Sequence, residues 1–185
     1  MCSAARLGTL SALLVVLSVP VGTQKREGLM GDLIRDIDQV QTKIVGLARA
    51  MPEGTYGWRP TKGVRSTSET LLHVAADNYF LPAAMGMSAP PEMGIDAKDY
   101  KTTVAFEKKS MTRDQVISEL EKSFAFLKAS MTSFPEEKLD ASLDVFGQKM
   151  SHRALWVSTT THLHEHLGQL IAYARSNDVT PPWSK

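Results

Sequence analysis

Cysteine is nearly absent from this sequence of 185 residues, which has a single one, Cys2. One cysteine cannot form an internal disulfide, and no C-x-x-C pair exists that would hold a structural zinc or carry thioredoxin-like redox chemistry. A large surplus of positive or of negative charge is missing as well, because 21 basic side chains are balanced by 20 acidic ones. The sequence therefore lacks the basic surplus that attracts a polyanion, and we expect no nucleic-acid partner.

Charge is scarce at the N-terminus, where Arg6 is the only charged residue before Lys25. The stretch from Leu7 to Gly22 is rich in leucine and valine, but polar residues and Pro20 interrupt it. It is too short for a membrane span, which needs about 20 apolar residues, and it has the form of a secretory signal. We therefore predict a signal segment at residues 1–23, export to the periplasm or the extracellular space, and no membrane association beyond that segment. An uncleaved N-terminal anchor is the alternative.

Four stretches of the remaining chain have apolar residues three and four apart with charges between them, a pattern typical of amphipathic helices. The predicted helices are Leu29–Met51, Ser66–Pro82, Thr112–Phe134 and His152–Ser176. No stretch shows a convincing strand alternation, and no internal repeat is present. The pattern predicts an all-α four-helix bundle with long connections, in one domain that spans residues 24–185.

Local signals refine this assignment. Ser66 and Glu69 form a capping box at the start of the second helix, and a similar box begins the third. Pro82 is expected to kink the second helix or to end it. The segment from Lys101 to Lys109 has no clear pattern, and the segment from Pro135 to Met150 is expected to be a loop or one short turn.

Three histidines lie close together in the fourth predicted helix. At about 100° per residue, His162 and His166 are one turn apart on the same face, whereas His164 points nearly the opposite way. Two imidazoles with this spacing can bind one divalent ion. The spacing also arises by chance on amphipathic helices, so a solvated or buried histidine pair without a metal is the alternative.

His73 lies in an apolar run of the second helix, where a buried imidazole needs a partner. If the second and fourth helices are neighbours, His73, His162 and His166 could provide three metal ligands and leave one position open, as in catalytic zinc sites. Asp77, one turn after His73, could orient an imidazole or accept a proton from a water that the metal activates. Glu165 could do the same, although an ordinary surface charge is the simpler interpretation.

Several enzyme motifs are absent. The fourth helix reads H-E-H-L-G, so it has neither the H-E-x-x-H of zincins nor the E-x-x-H of di-iron bundles. No G-x-S-x-G and no glycine-rich phosphate or dinucleotide loop occurs. A site made of neutral imidazoles suits zinc, copper, iron or nickel, and we expect zinc or nickel.

Short motifs follow one another along nearly the whole chain: Trp58-Arg59-Pro60, Ser68–His73, Leu155-Trp156, His162–Gln169, Tyr173–Arg175 and Pro181-Pro182. Their order and spacing resemble the DinB/YfiT-like superfamily over residues 29–183. The resemblance implies a four-helix bundle in up-down-down-up order. It also implies a divalent metal held by one histidine of the second helix and two of the fourth, which are His73, His162 and His166 here.

Family members with an assigned activity are metal-dependent transferases and isomerases that use low-molecular-weight thiols such as bacillithiol or mycothiol. Those thiols are cytosolic, so an export signal favours hydrolysis by metal-activated water, or a binding role. The expected function is an exported, metal-dependent hydrolase or thiol-dependent transferase that acts on a small molecule. The alternative is a non-catalytic metal- or ligand-binding bundle, which could form a homodimer through a helix face.

Overall fold

Five α-helices account for most of the computed structural model, which describes residues 27–184. Four of them are long and one is short: α1 (Gly28–Ala50), α2 (Thr67–Ala84), α3 (Lys101–Glu107), α4 (Arg113–Ser133) and α5 (His152–Ser176). The long helices α1, α2, α4 and α5 have ends close to the predicted ones. The predicted all-α four-helix bundle is therefore confirmed.

Charged pairs between α1 and α4 show that these two helices are antiparallel. Arg49, near the end of α1, pairs with Glu121 in the first half of α4. Asp38, three turns earlier in α1, pairs with Lys128 further along α4. Helices α1 and α4 therefore run in opposite directions.

Helices α2 and α5 are also antiparallel. Tyr173, near the end of α5, donates a hydrogen bond to the backbone carbonyl of Arg65, just before α2 begins. His73, further along α2, instead lies against His162, which is earlier in α5. The end of α5 therefore lies at the start of α2, and an earlier part of α5 lies beside the middle of α2.

Helices α1 and α5 are parallel, which sets the order of the whole bundle. Asp36 pairs with His164, and Lys43, two turns later in α1, lies over the ring of Trp183 beyond the end of α5. The directions of α1, α2, α4 and α5 are therefore up, down, down and up, as the family resemblance implied. Each of α1 and α2 packs against both α4 and α5.

Helix α2 is the most deeply buried part of the bundle. Every residue from Thr70 to Phe80 is buried, because α3, α4 and α5 all pack against it. Apolar side chains such as Leu71 and Leu72 fill the core, and each contributes roughly 1.5–3 kcal/mol on burial. Polar residues in this stretch, by contrast, need partners from neighbouring elements.

Pro82 lies in the last turn of α2, which ends two residues later at Ala84. Proline has no N–H to donate within the helix, and the chain leaves the helical path at Gly86, whose φ is +90°. The expected effect of Pro82 is thus seen as the end of the helix.

Two segments without a clear sequence pattern form regular structure. The first contains α3, which packs against α2. The second contains an antiparallel hairpin, formed by β1 (Ser142–Val145) and β2 (Gln148–Ser151). The expected short turn is present at Glu136–Lys138, but the expectation that the segment has no strands is wrong. Strands of four residues, with one buried side chain between the two of them, carry too little apolar alternation to be recognised in the sequence.

The hairpin turns at Phe146 and Gly147, which have φ values of +57° and +75°. Two consecutive residues with positive φ match the type I′ turn, whose favoured sequence is Asn-Gly. Left-handed backbone costs an ordinary L-residue roughly 1–2 kcal/mol. The side chain of Phe146 is nevertheless at this position, and the residue is 64% exposed.

Within residues 27–184, none of the helices combines the length and the apolar character needed to cross a membrane. The predicted signal segment at residues 1–23 lies outside the described residues.

The capping box at the start of α2 is present as predicted. Ser66 Oγ accepts a hydrogen bond from the backbone N–H of Glu69 at 3.2 Å, and the Glu69 carboxylate accepts one from the N–H of Ser66 at 2.7 Å. We predict that Ser66→Ala lowers the free energy of unfolding by about 1 kcal/mol, because a helix N–H loses its partner. Urea unfolding followed by circular dichroism measures this. Ser68→Ala, two residues into the helix, is the control and should change stability little; an equal loss in both variants would contradict a capping effect.

Candidate metal centre

Three histidines meet at the interface between α2 and α5. One ring nitrogen from each of His73, His162 and His166 lies within 4.8 Å of the other two. The ring centroids are 4.4 to 5.2 Å apart, and the rings are nearly perpendicular to one another. The structure thus brings together the three histidines that were singled out in the sequence.

Helix geometry explains which histidines take part. His162 and His166 are one turn apart on the face of α5 that meets α2, and antiparallel packing places His73 opposite them. His164 is on another face, where its Nε2 lies 2.7 Å from Asp36 of α1. It therefore does not belong to the cluster.

The cluster is buried on one side and open on the other. His73 and His166 are buried, with 3% and 6% of their surface exposed. The side chain of His162 is 26% exposed. A ligand from solvent would therefore approach past His162.

His73 is oriented by a carboxylate from α3. Its Nδ1 lies 2.7 Å from Oε1 of Glu107, and because an ionised carboxylate only accepts, Nδ1 carries the proton. Arg65 donates to both oxygens of Glu107, at 2.7 and 3.1 Å. Burial alone would raise the pKa of Glu107, but the hydrogen bonds from His73 and Arg65 outweigh it and lower the pKa below its usual value. Nε2 of His73 is left with its lone pair facing the cluster.

His166 is oriented by a chain of hydrogen bonds along α5. Its Nδ1 donates to Oε1 of Gln169 at 2.9 Å, and the Gln169 amide donates to the hydroxyl of Tyr173 at 2.8 Å. Tyr173 in turn is fixed by its bond to the backbone of Arg65. Burial, reinforced by nearby His162, lowers the pKa of His166 to about 4. The imidazole is therefore neutral at pH 7, which is the form that binds a metal.

Unpartnered polar atoms are concentrated at this cluster. Of the five buried side-chain N and O atoms without a hydrogen-bond partner among the described residues, three are here: Nε2 of His162, Nε2 of His166 and Oδ1 of Asp77. Nε2 of His162 is 2.9 Å from Oδ2 of Asp77, but the two are not aligned for a hydrogen bond. Each such atom costs about 1–3 kcal/mol, and a cation would give the imidazole lone pairs a partner. The donor set thus fits a divalent metal ion.

The two carboxylates proposed from the sequence are placed differently. Asp77 is buried and lies 3.5 Å from Nε2 of His73 as well as 2.9 Å from His162. Glu165 is exposed on α5, outside the group of converging nitrogens.

Sequence reasoning missed the residues that orient the histidines. Glu107 is in the segment for which no pattern was recognised, so nothing local connected it with His73. Gln169 follows His166 by three residues on the same helix face, and this spacing was a usable signal. Tyr173 and Arg65 act through tertiary contacts, which a single sequence does not reveal.

The fold and the site together define a class of protein: an all-α bundle in up-down-down-up order with a histidine cluster able to hold a metal between α2 and α5. The family model described as the DinB superfamily matches residues 36–170. The chain therefore belongs to the DinB superfamily.

Solved structures have the same fold at low sequence identity. A DinB-like protein from Bacillus subtilis (YjoA) is 18% identical with a TM-score of 0.62, over 80% of this chain and 93% of the other. A conserved protein from Enterococcus faecalis is 16% identical with a TM-score of 0.68, over 81% and 97%. A DinB-like protein from Bacillus cereus is 15% identical with a TM-score of 0.66, over 83% and 95%. No significant match was found among curated proteins.

The bond between Glu107 and His73 predicts a single tautomer. We expect His73 to carry its proton on Nδ1 in the metal-free protein at neutral pH, and to lose this preference in Glu107→Gln, because an amide can donate as well as accept. Long-range ¹H–¹⁵N NMR of the imidazoles measures this. Glu165→Gln makes the same change at an exposed position and should leave His73 unaffected. A proton on Nε2 of His73 in the unmutated protein would contradict the assignment.

Proposed function

We propose that this protein is an exported metalloenzyme of the DinB superfamily that binds one divalent ion through His73, His162 and His166 and acts on a small molecule. The observation that carries the proposal is the convergence of the three imidazoles, two of which have a buried Nε2 without a partner. The hydrogen bonds that Nδ1 of His73 and Nδ1 of His166 donate leave Nε2 of both rings unprotonated and fix the direction in which it points.

The donor set favours zinc or nickel. All three ligands are neutral imidazoles, which suit late transition metals, whereas calcium and magnesium prefer oxygen ligands. Three protein ligands leave at least one coordination position open, as in catalytic rather than structural zinc sites. The exposed edge of His162 supports access of a substrate to that position.

When bound, the ion would supply Lewis acidity, which lowers the pKa of a water or thiol that reaches it. The chain itself supplies Asp77, whose Oδ1 has no hydrogen-bond partner and whose Oδ2 faces His73 and His162. We propose that Oδ1 accepts the proton that the nucleophile loses. General-base catalysis by a positioned carboxylate is typically worth 10²–10⁴-fold in rate.

A thiol nucleophile would have to come from outside the domain. The only cysteine, Cys2, lies in the proposed signal segment, so the domain from residue 24 onward has no thiol of its own. Export would also separate it from the cytosolic thiols that related transferases use. Hydrolysis is therefore the reaction we favour, and thiol transfer is the second candidate.

Metal content tests the site directly. We predict about one equivalent of zinc or nickel, by mass spectrometry, in the tag-free chain that begins after residue 23. His73→Ala and His162→Ala should each lose the metal, because two imidazoles are left to bind it. His164→Ala is the matched control: it removes a histidine of the same helix that pairs with Asp36 instead, and it should retain the metal.

Circular dichroism of the same variants separates loss of metal from loss of fold. Folded His73→Ala and His162→Ala proteins without metal would support the three-histidine site. A parent chain that takes up neither zinc nor nickel would refute the proposed function, as would equal loss in the His164→Ala control.

Activity tests the catalytic role of Asp77. We predict that the metal-loaded protein hydrolyses members of a panel of aryl esters and thioesters, and that Asp77→Asn retains the metal but loses 10²–10⁴-fold in turnover because its amide cannot accept the proton. Glu165→Gln should keep its activity. A large loss in Glu165→Gln with none in Asp77→Asn would reverse the assignment of the base.

A second assay, with an electrophile and an added thiol as substrates, distinguishes thiol transfer from hydrolysis. Tight metal binding without turnover of any substrate would instead support the alternative, a non-catalytic metal-binding bundle.

A further inference from the structure

Three aromatic rings from separate parts of the chain meet beyond Asp77 on α2. Phe80 in α2 stacks on Phe146 of the hairpin turn, with ring centroids 5.7 Å apart and planes at 17°. Tyr100, at the start of α3, meets both rings edge-on, at 5.4 and 5.5 Å. Aromatic groups in this offset-stacked and edge-to-face arrangement attract one another specifically.

These rings form one side of a cavity of about 580 Å³. Small-molecule sites have volumes of about 300–1,000 Å³, so the cavity has room for a compact ligand of one or two rings. Its lining includes the apolar and aromatic side chains of Phe80, Ala83, Ala84, Tyr100, Val145 and Phe146. The alanines of α2 leave the space that larger side chains would fill.

The cavity lies further along α2 than the histidine cluster, and Phe80, which lines it, is two helical turns from His73. Phe80 is three residues after Asp77, about one turn further along the helix. Helix α3 spans the same interval, because Tyr100 is at its start beside Phe80 and Glu107 is at its end beside His73. Burial raises the pKa of Tyr100, and the negative charge of Asp77 raises it further. Asp77 is therefore close to both the cavity and the metal centre.

The conformation of the hairpin turn does not explain why an exposed aromatic residue is at position 146. Its backbone has a positive φ, which a type I′ turn accommodates better with asparagine. The ring covers the cavity rather than the bundle core, since it is largely exposed and touches Phe80 and Tyr100. An aromatic side chain kept at a strained, exposed position next to a cavity indicates a role in binding.

We propose that this cavity binds the flat aromatic part of the substrate, against the side formed by the packed rings of Phe80, Tyr100 and Phe146, while the reacting group extends past Asp77 to the histidine cluster. This inference rests on the proposed function for the reacting end and deepens it by naming the substrate class, a small molecule with an aromatic ring. Lys98 and Asp144 also line the cavity and offer one charge of each sign for polar substituents on the ring.

The aromatic compound 2-naphthol is a suitable probe, with decahydro-2-naphthol as its saturated counterpart. We predict that the metal-free domain binds 2-naphthol at least tenfold more tightly than the saturated compound, because flat rings stack on the aromatic walls. Phe146→Asn should weaken 2-naphthol binding at least tenfold while preserving the hairpin, since asparagine suits the turn. Ala84→Leu, which fills the cavity from α2, should weaken it as well. Ligand-observed NMR titration measures all of these.

Trp183→Ala is the matched control, because it removes another exposed aromatic side chain outside this cavity. It should bind 2-naphthol as the parent does. Equal binding by the parent and Phe146→Asn, or no preference for 2-naphthol over its saturated counterpart, would overturn the proposal.

Metal loading separates this inference from the proposed function. In cobalt-loaded protein, the protons of bound 2-naphthol should relax faster than in zinc-loaded protein, because Phe80 at the cavity is two turns along α2 from His73. Unchanged relaxation would overturn the placement of the reacting group. If the protein binds no metal but 2-naphthol binding still depends on Phe146, the proposed metal function fails and the aromatic site stands.

Discussion

The hydrogen bond between His73 and Glu107 joins the bundle to one of its long connections, and the arrangement of the site depends on it. The middle of α2 is buried, so Nδ1 of His73 needs a hydrogen-bond acceptor inside the protein. That acceptor comes from outside the four long helices. The connection between α2 and α4 supplies it by folding back as α3, whose last residue is Glu107. With Nδ1 bonded there, Nε2 lies toward Asp77 and toward His162 and His166 of α5.

The long helices and the connections between them contribute different parts of the site. The long helices place the three histidines, and their positions are set by core packing that tolerates little movement. The connections supply what surrounds the cluster: Glu107 from α3, and the ring of Phe146 from the hairpin that links α4 to α5. Variation in the hairpin could therefore change the ligand while the three histidines and Glu107 stay the same, as is general for functional loops on a rigid scaffold.

The sequence predicted those parts of the structure that depend on local periodicity. The four helices and the shared face of His162 and His166 follow from a repeat of 3.6 residues, and the capping box of Ser66 fixed one helix start. The meeting of His73 with that pair required knowing that α2 and α5 are neighbours, which long connections leave open and which the family resemblance supplied. Glu107 and the hairpin could not be predicted, because a helix of seven residues and strands of four are too short to show their periods, and their partners are distant in sequence.

The unpartnered atoms of the cluster connect stability with binding. The unpartnered Nε2 atoms of His162 and His166 lower the stability of the metal-free protein by about 1–3 kcal/mol each. Burial of the apolar side chains around α2 offsets this loss. A ligand that binds only the folded state returns stability in proportion to its concentration, about 4 kcal/mol at 1,000 times its dissociation constant. A cation bound to His73, His162 and His166 would therefore stabilise the contact between α2 and α5. Since Asp77 and Phe80 follow on the same helix, holding α2 in place there also fixes the distance between the metal centre and the aromatic cavity.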